Sequence, residues 1–175
     1  GFAAVKDDNA AYFVDKTGKP LSEETYVDTK AFSEGLAAAQ DQYFKYGFIN
    51  TKGEVVIPFE YSTVSWFKEG IVAVGMNENG KMRYAYVNKN GERLTDFLYE
   101  EAKDFQNGVG RVKLDGKYGL VDKFGASITC CEYDYISEFK QDGYALAKKN
   151  GHDVLLDKEG VAWVKVNGVM VKVKF

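Results

Sequence analysis

Apolar and polar positions alternate in short runs along the whole chain, and the runs return in the same order. Each cycle opens with FAAV at 2–5, LAAA at 36–39, IVAV at 71–74, VGRV at 109–112 or YALA at 144–147. Alternate side chains of a strand face opposite sides, so the second and fourth positions share one face. Those positions are small in every copy: Ala3/Val5, Ala37/Ala39, Val72/Val74, Gly110/Val112 and Ala145/Ala147. A crowded face of this kind suits strands that converge on a common axis. After a polar turn of variable length comes a second strand: AYFVD at 11–15, YGFIN at 46–50, YAYVN at 84–88, YGLVD at 118–122 and DVLLD at 153–157.

The second strand ends in DKTG, NTKG, NKNG, DKFG or DKEG. Asp or Asn at the first position accepts hydrogen bonds from the turn's own backbone. The glycine at the fourth takes the positive φ of a three-residue hairpin with a bulge. A third strand carries an apolar residue three places after that glycine: Leu21, Val56, Leu94, Ile128 or Trp163. Two aromatics then act as a ruler, eight and fourteen residues after the glycine: Tyr26/Phe32, Tyr61/Phe67, Tyr99/Phe105 and Tyr133/Phe139. A short fourth strand should run between them, with Thr29, Val64, Ala102, Ile136 and Val171 at its midpoints.

The turn glycines stand at 18, 53, 91, 125 and 160, and so are 35, 38, 34 and 35 residues apart. Periods of this size mark solenoids, propellers and arrays. The units are 1–34, 35–69, 70–107, 108–142 and 143–175, read as one domain because no Pro-, Ser- or Gly-rich linker separates them. No helical period is sustained, although 33–41 and 98–105 could hold a turn of helix. The expected fold is all-β: a tandem repeat of about five three-to-four-stranded antiparallel β-meander units. These would pack as a propeller-like ring, which the small-residue strands favour, or as an open twisted β-array.

The stretch Lys45-Tyr46-Gly47-Phe48-Ile49-Asn50-Thr51-Lys52-Gly53-Glu54-Val55-Val56-Ile57-Pro58, followed by Tyr61 and Phe67-Lys68-Glu69-Gly70, resembles the bacterial WG repeat, also called KWG. Tyr46-Gly47 and Tyr118-Gly119 stand for the family's Trp-Gly pair. Units one, three and five depart from it at Tyr12-Phe13, Tyr84-Ala85 and Asp153-Val154. The resemblance implies a repeat scaffold and brings no catalytic residues.

Composition narrows the functions. With 26 acidic against 23 basic residues and a net charge of -3, the chain lacks the clustered cations of a nucleic-acid surface. No apolar run approaches the roughly 18 residues of a membrane helix, so no membrane insertion is expected. Gly1 takes the place of the initiator Met, which admits removal of an export signal. This favours an extracytoplasmic compartment, periplasm or cell surface, over the cytoplasm. Adjacent Cys130 and Cys131 weigh mildly the other way. They point to opposite faces of a strand and are expected as one buried and one half-exposed free thiol.

No catalytic, cofactor or metal set assembles. His152, the one histidine, lies in a variable turn without acid–base partners. The carboxylate pairs Asp7-Asp8, Glu23-Glu24 and Glu100-Glu101 fall in loops, and DKTG offers one ligand where calcium needs several. The glycines near 108–110 and 116–119 lack the following helix of a phosphate loop. What exceeds the needs of the fold is a set of aromatics that keep no register with the repeat: Tyr43, Phe44, Trp66, Phe97, Phe124 and Tyr135. Exposed aromatics grip a protein partner or stack on sugar rings. The expected role is therefore a non-catalytic scaffold for protein–protein interaction in a larger bacterial assembly or exported protein. The alternative is a carbohydrate-binding, lectin-like propeller.

The chain's strongest two-residue hairpin signal is Asn167-Gly168, between alternating runs. Its last strand sends Val169, Val171, Val173 and Phe175 to one side and Met170, Lys172 and Lys174 to the other. An unpaired strand of this kind invites association, so its outer edge is expected to be covered by the segment near Phe2–Val5, by a partner chain or by a further domain.

Overall fold

The computed structural model describes residues 1–8 and 10–175. It is all-β, a series of small antiparallel sheets, and it divides into two compact units, Gly1–Phe97 and Leu98–Phe175.

The first unit holds three sheets. β1 (Phe2–Lys6) pairs with β2 (Ala11–Asp15). The second sheet orders β3 (Asp28–Thr29), β4 (Leu36–Gln40), β5 (Tyr46–Asn50) and β6 (Val55–Tyr61). The third orders β7 (Thr63–Val64), β8 (Ile71–Glu78) and β9 (Lys81–Asn88). The second unit holds a four-stranded sheet of β10 (Glu101–Ala102), β11 (Val109–Leu114), β12 (Lys117–Asp122) and β13 (Ser127–Tyr133). Its other sheet has five strands: β14 (Tyr135–Ile136), β15 (Tyr144–Lys149), β16 (His152–Asp157), β17 (Ala162–Val166) and β18 (Val169–Lys172).

The repeat in the sequence and the repeat in the sheets are out of phase. The short strand expected to close each unit instead opens the next sheet. Thr29 pairs with Ala39, Val64 with Val74, Ala102 with Val112 and Ile136 with Ala147. Each of these sheets therefore takes its first strand from the preceding unit, which ties consecutive repeats by backbone hydrogen bonds.

The turns form as their residues dictate. Gly18, Gly53, Gly91, Gly125 and Gly160 all have φ between 82° and 85°. The Asp15 carboxylate accepts from the N–H groups of Thr17 and Lys19, and Asp122 from those of Phe124 and Ala126. Asn50 and Asn88 do the same with their amide oxygens. At the C-terminus Asn167 (φ 49°) and Gly168 (φ 85°) make the expected hairpin, and Val166 pairs with Val169. Among the described residues β18 pairs only with β17 and forms the outer strand of its sheet.

Two units lose their third strand. Around Leu21 and Leu94 it shrinks to the bridges Val14–Pro20 and Val87–Arg93, with one further backbone bond each to Phe13 and Tyr86. Pro20 brings no N–H to a ladder. In the other unit the Thr95 hydroxyl accepts from the Tyr86 N–H, as the Thr129 hydroxyl accepts from the Leu120 N–H beside the complete β13. The segments 33–41 and 98–105 contain strands, bridges and turns, with no helix among the described residues.

Packing follows one rule inside each unit. The face of the second sheet bearing Leu36, Ala38 and Phe48 packs on Val72, Val74, Ala85 and Val87 of the third. The opposite face, Ala37, Ala39 and Ile49, packs on Phe13 of the first sheet. In the second unit Val109 and Leu120 pack on Ala145, Ala147, Val154 and Leu156. Ruler residues sit in these layers: Phe67 is fully buried, edge-on to Phe48 at 5.0 Å, and Tyr61, Tyr133 and Phe139 are buried with it or in the second unit's layer. Burying each large side chain contributes roughly 1.5–3 kcal/mol. The first strand of unit one differs from the other four, since Ala3 is exposed where Ala37, Val72, Gly110 and Ala145 are buried.

Candidate binding surface

The turn between β4 and β5 is built like the glycine turns, with Asp41 in the place of Asp15. The Asp41 carboxylate accepts from the N–H groups of Tyr43 and Lys45, each at 2.9 Å, and the Phe44 N–H donates to the Asp41 carbonyl. Phe44 thus falls where the other turns have glycine, and it has φ 61°. The equivalent turns of later units fill their left-handed positions with Asn79-Gly80, Asp115-Gly116 and Asn150-Gly151. A bulky side chain in this region is a backbone outlier that packing usually enforces. Here packing does not, because Phe44 is 66% exposed and Tyr43 is exposed beside it.

Trp66, half-exposed in the loop after β7, belongs to a polar cluster. The Lys30 ammonium lies 4.5 Å above its ring centroid and 5.9 Å from that of Tyr46, a cation–π arrangement. The Tyr46 hydroxyl donates to Asp28 at 2.8 Å, and Lys6 pairs with the same carboxylate at 3.3 Å. Burial pushes the Tyr46 hydroxyl up to about 12, helped by the Asp28 carboxylate that accepts its proton. Burial would raise Asp28, but the hydrogen bonds from Tyr46 and Lys6 and the Lys6 charge hold it below its ordinary value.

The same design recurs in the second unit. Tyr118 faces Glu101 at 3.5 Å, Lys113 and Lys103 each pair with Glu101 at 3.1 Å, and Lys113 lies over the Tyr118 ring. In the last sheet the polarity is reversed across the same strand row. Tyr135 takes the acidic place, Asp153 takes the tyrosine place, and Lys148 stands between them, 3.7 Å from Asp153. These three line an open depression of about 420 Å³ with Leu146 and Ala147.

The expected aromatics therefore scatter. Tyr43 and Phe44 share one turn, Trp66 caps the Lys30–Tyr46 cluster, and exposed Phe124 lies beside Lys123 in the turn after β12. Tyr135 is exposed at the start of β14. Phe97 departs from the set: it is half-buried against the core, with its ring 6.3 Å from Tyr61 and under Arg93. The thiols also shift outward from expectation, with Cys130 exposed and Cys131 half-buried, its thiol pushed up by burial. The roles of Lys30, Asp28 and Glu101 are not apparent from their neighbours in sequence. The signal was the separation of acid from tyrosine across the repeat, Asp28 to Tyr46 and Glu101 to Tyr118.

Gly47 and Gly119 explain the second half of the Trp-Gly pair. β6 bulges opposite Gly47, and β13 bulges opposite Gly119, so three residues cross each glycine. A Cβ on Gly119 would stand 2.8 Å from the Thr129 carbonyl oxygen. The two units that keep the glycine are the ones with a complete bulged third strand.

A model of the family described as WG containing repeat matches the chain at residues 13–42, 46–81, 84–118 and 118–151. No curated protein matches it. Among solved structures it is similar to the computationally designed Ika8 protein, at 16% identity and a TM-score of 0.43, over 97% of this chain and 66% of that one. It is also similar to the WD40 β-propeller domain of Doa1, at 12% identity and a TM-score of 0.38, over 99% of this chain and 64% of that one.

Proposed function

The chain belongs to the WG-containing repeat family, and on that premise we propose that it is a non-catalytic scaffold whose exposed aromatic turns hold a protein partner. One observation carries this reading. Phe44 keeps a bulky ring at φ 61°, where related turns use Gly, and leaves that ring in solvent. A left-handed residue other than glycine costs on the order of 1–2 kcal/mol, and no buried contact of the free protein offsets it. Backbone strain without packing return is what a binding residue shows. Tyr43 beside it and the Trp66–Lys30 pair add rigid aromatic area of the sort that anchors protein interfaces. In this reading the protein is one element of a larger bacterial assembly.

The test compares affinity enrichment from the native organism by the wild-type chain and by the Tyr43→Ser, Phe44→Gly double variant. Phe44→Gly relieves strain, so a loss of binding is not a loss of fold. One protein enriched by wild type and lost from the variant is the expected result. Equal enrichment by both, or binding to a glycan array in place of a protein, overturns the reading.

A further inference from the structure

The turns that lead into β4, β8 and β11 are equivalent, and Glu34, Glu69 and Asn107 hold the same place in them, with φ of 52°, 54° and 56°. In the first unit this place clamps one sheet to the next. The Glu34 carboxylate accepts from the N–H groups of Glu69 and Gly70, each at 2.8 Å, and pairs with the Lys89 ammonium at 3.3 Å. Lys89 also donates to the Glu34 carbonyl at 2.8 Å. Burial would raise this carboxyl, but the hydrogen bonds and the Lys89 charge hold it below its ordinary value. The cradle is therefore built for a carboxylate. The second unit repeats the frame without that group. Asn107, shorter and uncharged, stands in the place of Glu34, and Lys158 in the place of Lys89. The turn into β15 is one residue longer, and its Gly143 N–H closes on the Lys140 carbonyl. Lys158 meets the exposed Glu159 carboxylate at 4.0 Å, in place of the two closer contacts of Lys89. Where the clamp would sit there is a cavity of about 350 Å³, lined by Asn107, Lys140, Asp142, Asp157, Lys158 and Glu159 among others. Small-molecule sites span roughly 300–1,000 Å³.

We propose that this cavity binds a small zwitterion of the amino-acid class, whose carboxylate does at Lys158 what the Glu34 side chain does at Lys89. Charge selects the rest of the ligand. Lys140 and Lys158 supply the cations of the lining, and Asp142, Asp157 and Glu159 supply the anions. Asp157 is committed to its own turn, since its carboxylate accepts from the Val161 N–H at 2.7 Å and from the Trp163 indole N–H at 2.8 Å. Asp142 gives one oxygen to the Tyr144 N–H at 3.1 Å and keeps the other, and Glu159 has only its distant neighbour Lys158 among the ion pairs of the described residues. A bare anion would be repelled by these two carboxylates, whereas an ammonium group beside the ligand's carboxylate pairs with them. The cavity lies within the second unit and shares no residue with Tyr43, Phe44 or Trp66. It stands or falls separately from the protein partner proposed above.

The experiment screens the common L-amino acids, each at millimolar concentration, by thermal shift and then by calorimetric titration of the full chain. At least one should raise the melting temperature with rising concentration, as a ligand of the folded state must. Lys158→Met, at an exposed position, removes a charge-assisted hydrogen bond and should weaken that ligand roughly tenfold or more. Asn107→Glu supplies the missing carboxylate from within, at a φ that Glu34 and Glu69 already adopt, and should abolish binding with an unchanged circular dichroism spectrum. The amine that lacks the ligand's carboxylate and the acid that lacks its ammonium should both bind more weakly than the amino acid. Absence of a response across the whole panel overturns the proposal. So does binding that survives both Lys158→Met and Asn107→Glu, or equal binding of the amine or of the acid.

Discussion

A Cβ on Gly47 would lie 2.6 Å from the carbonyl oxygen of Ile57, closer than any real side chain approaches. Both partners are backbone, held by strands β5 and β6 on either side of a bulge. The glycine after the aromatic is thus a consequence of the bulged third strand, which must cross close to the second.

Gly47→Ala should therefore destabilise the protein by about 1–3 kcal/mol, the usual cost of forcing atoms into a packed site. Gly119→Ala should do the same. Ala85→Gly, in the unit without a bulged strand, should cost only about 0.5–1 kcal/mol for the added backbone freedom. Urea midpoints decide it, and equal midpoints for Gly47→Ala and wild type would refute the bulge argument.

Phe44→Gly should raise stability by roughly 1–2 kcal/mol, because it removes a left-handed bulky residue whose ring is mostly in solvent and gives up little buried area. Gly53→Val, with φ 83° in the following turn, should act in the opposite direction. Thermal unfolding of the two variants gives the signs directly.

Phe67→Ala should cost about 3–5 kcal/mol. The ring is fully buried, touches Phe48 edge-on and fills the layer between the second and third sheets. A loss under about 1 kcal/mol in denaturant unfolding would show that the layer is not packed as described.

Asp28 and Tyr46 bend the pH–stability curve at opposite ends. Asp28 is held below its ordinary value of 3.8, so its contribution is present above that value and is lost as pH falls through the lower folded one. Tyr46 is raised from 10.0 to about 12, so its contribution is complete below 10.0 and disappears as pH climbs toward about 12. Asp28→Asn should flatten the acid limb and Tyr46→Phe the alkaline one. Denaturation midpoints at pH 2–5 and 9–12 measure both, and limbs superimposable on wild type would sink the account.

What the chain alone determined is what lies within a few residues. The turns at Gly18, Gly53, Gly91, Gly125 and Gly160 were legible because their hydrogen bonds close between positions three and four apart, and only certain residues take the φ required. The Asn167-Gly168 hairpin and the 35-residue period were legible for the same reason, as was the family. Only the tertiary structure decided which sheet each short strand joins. Thr63–Val64 could close its own unit or open the next, and its alternation is the same in either case. Packing selects the second pairing, because Val64 is then buried in the layer with Val72 and Val74. The same holds for the surface. Phe97 and Phe124 both stand out of register in the sequence, yet one leans on Tyr61 and the other faces solvent. Exposure depends on which sheet lies opposite, and that neighbour is brought there by residues 30 or more positions away.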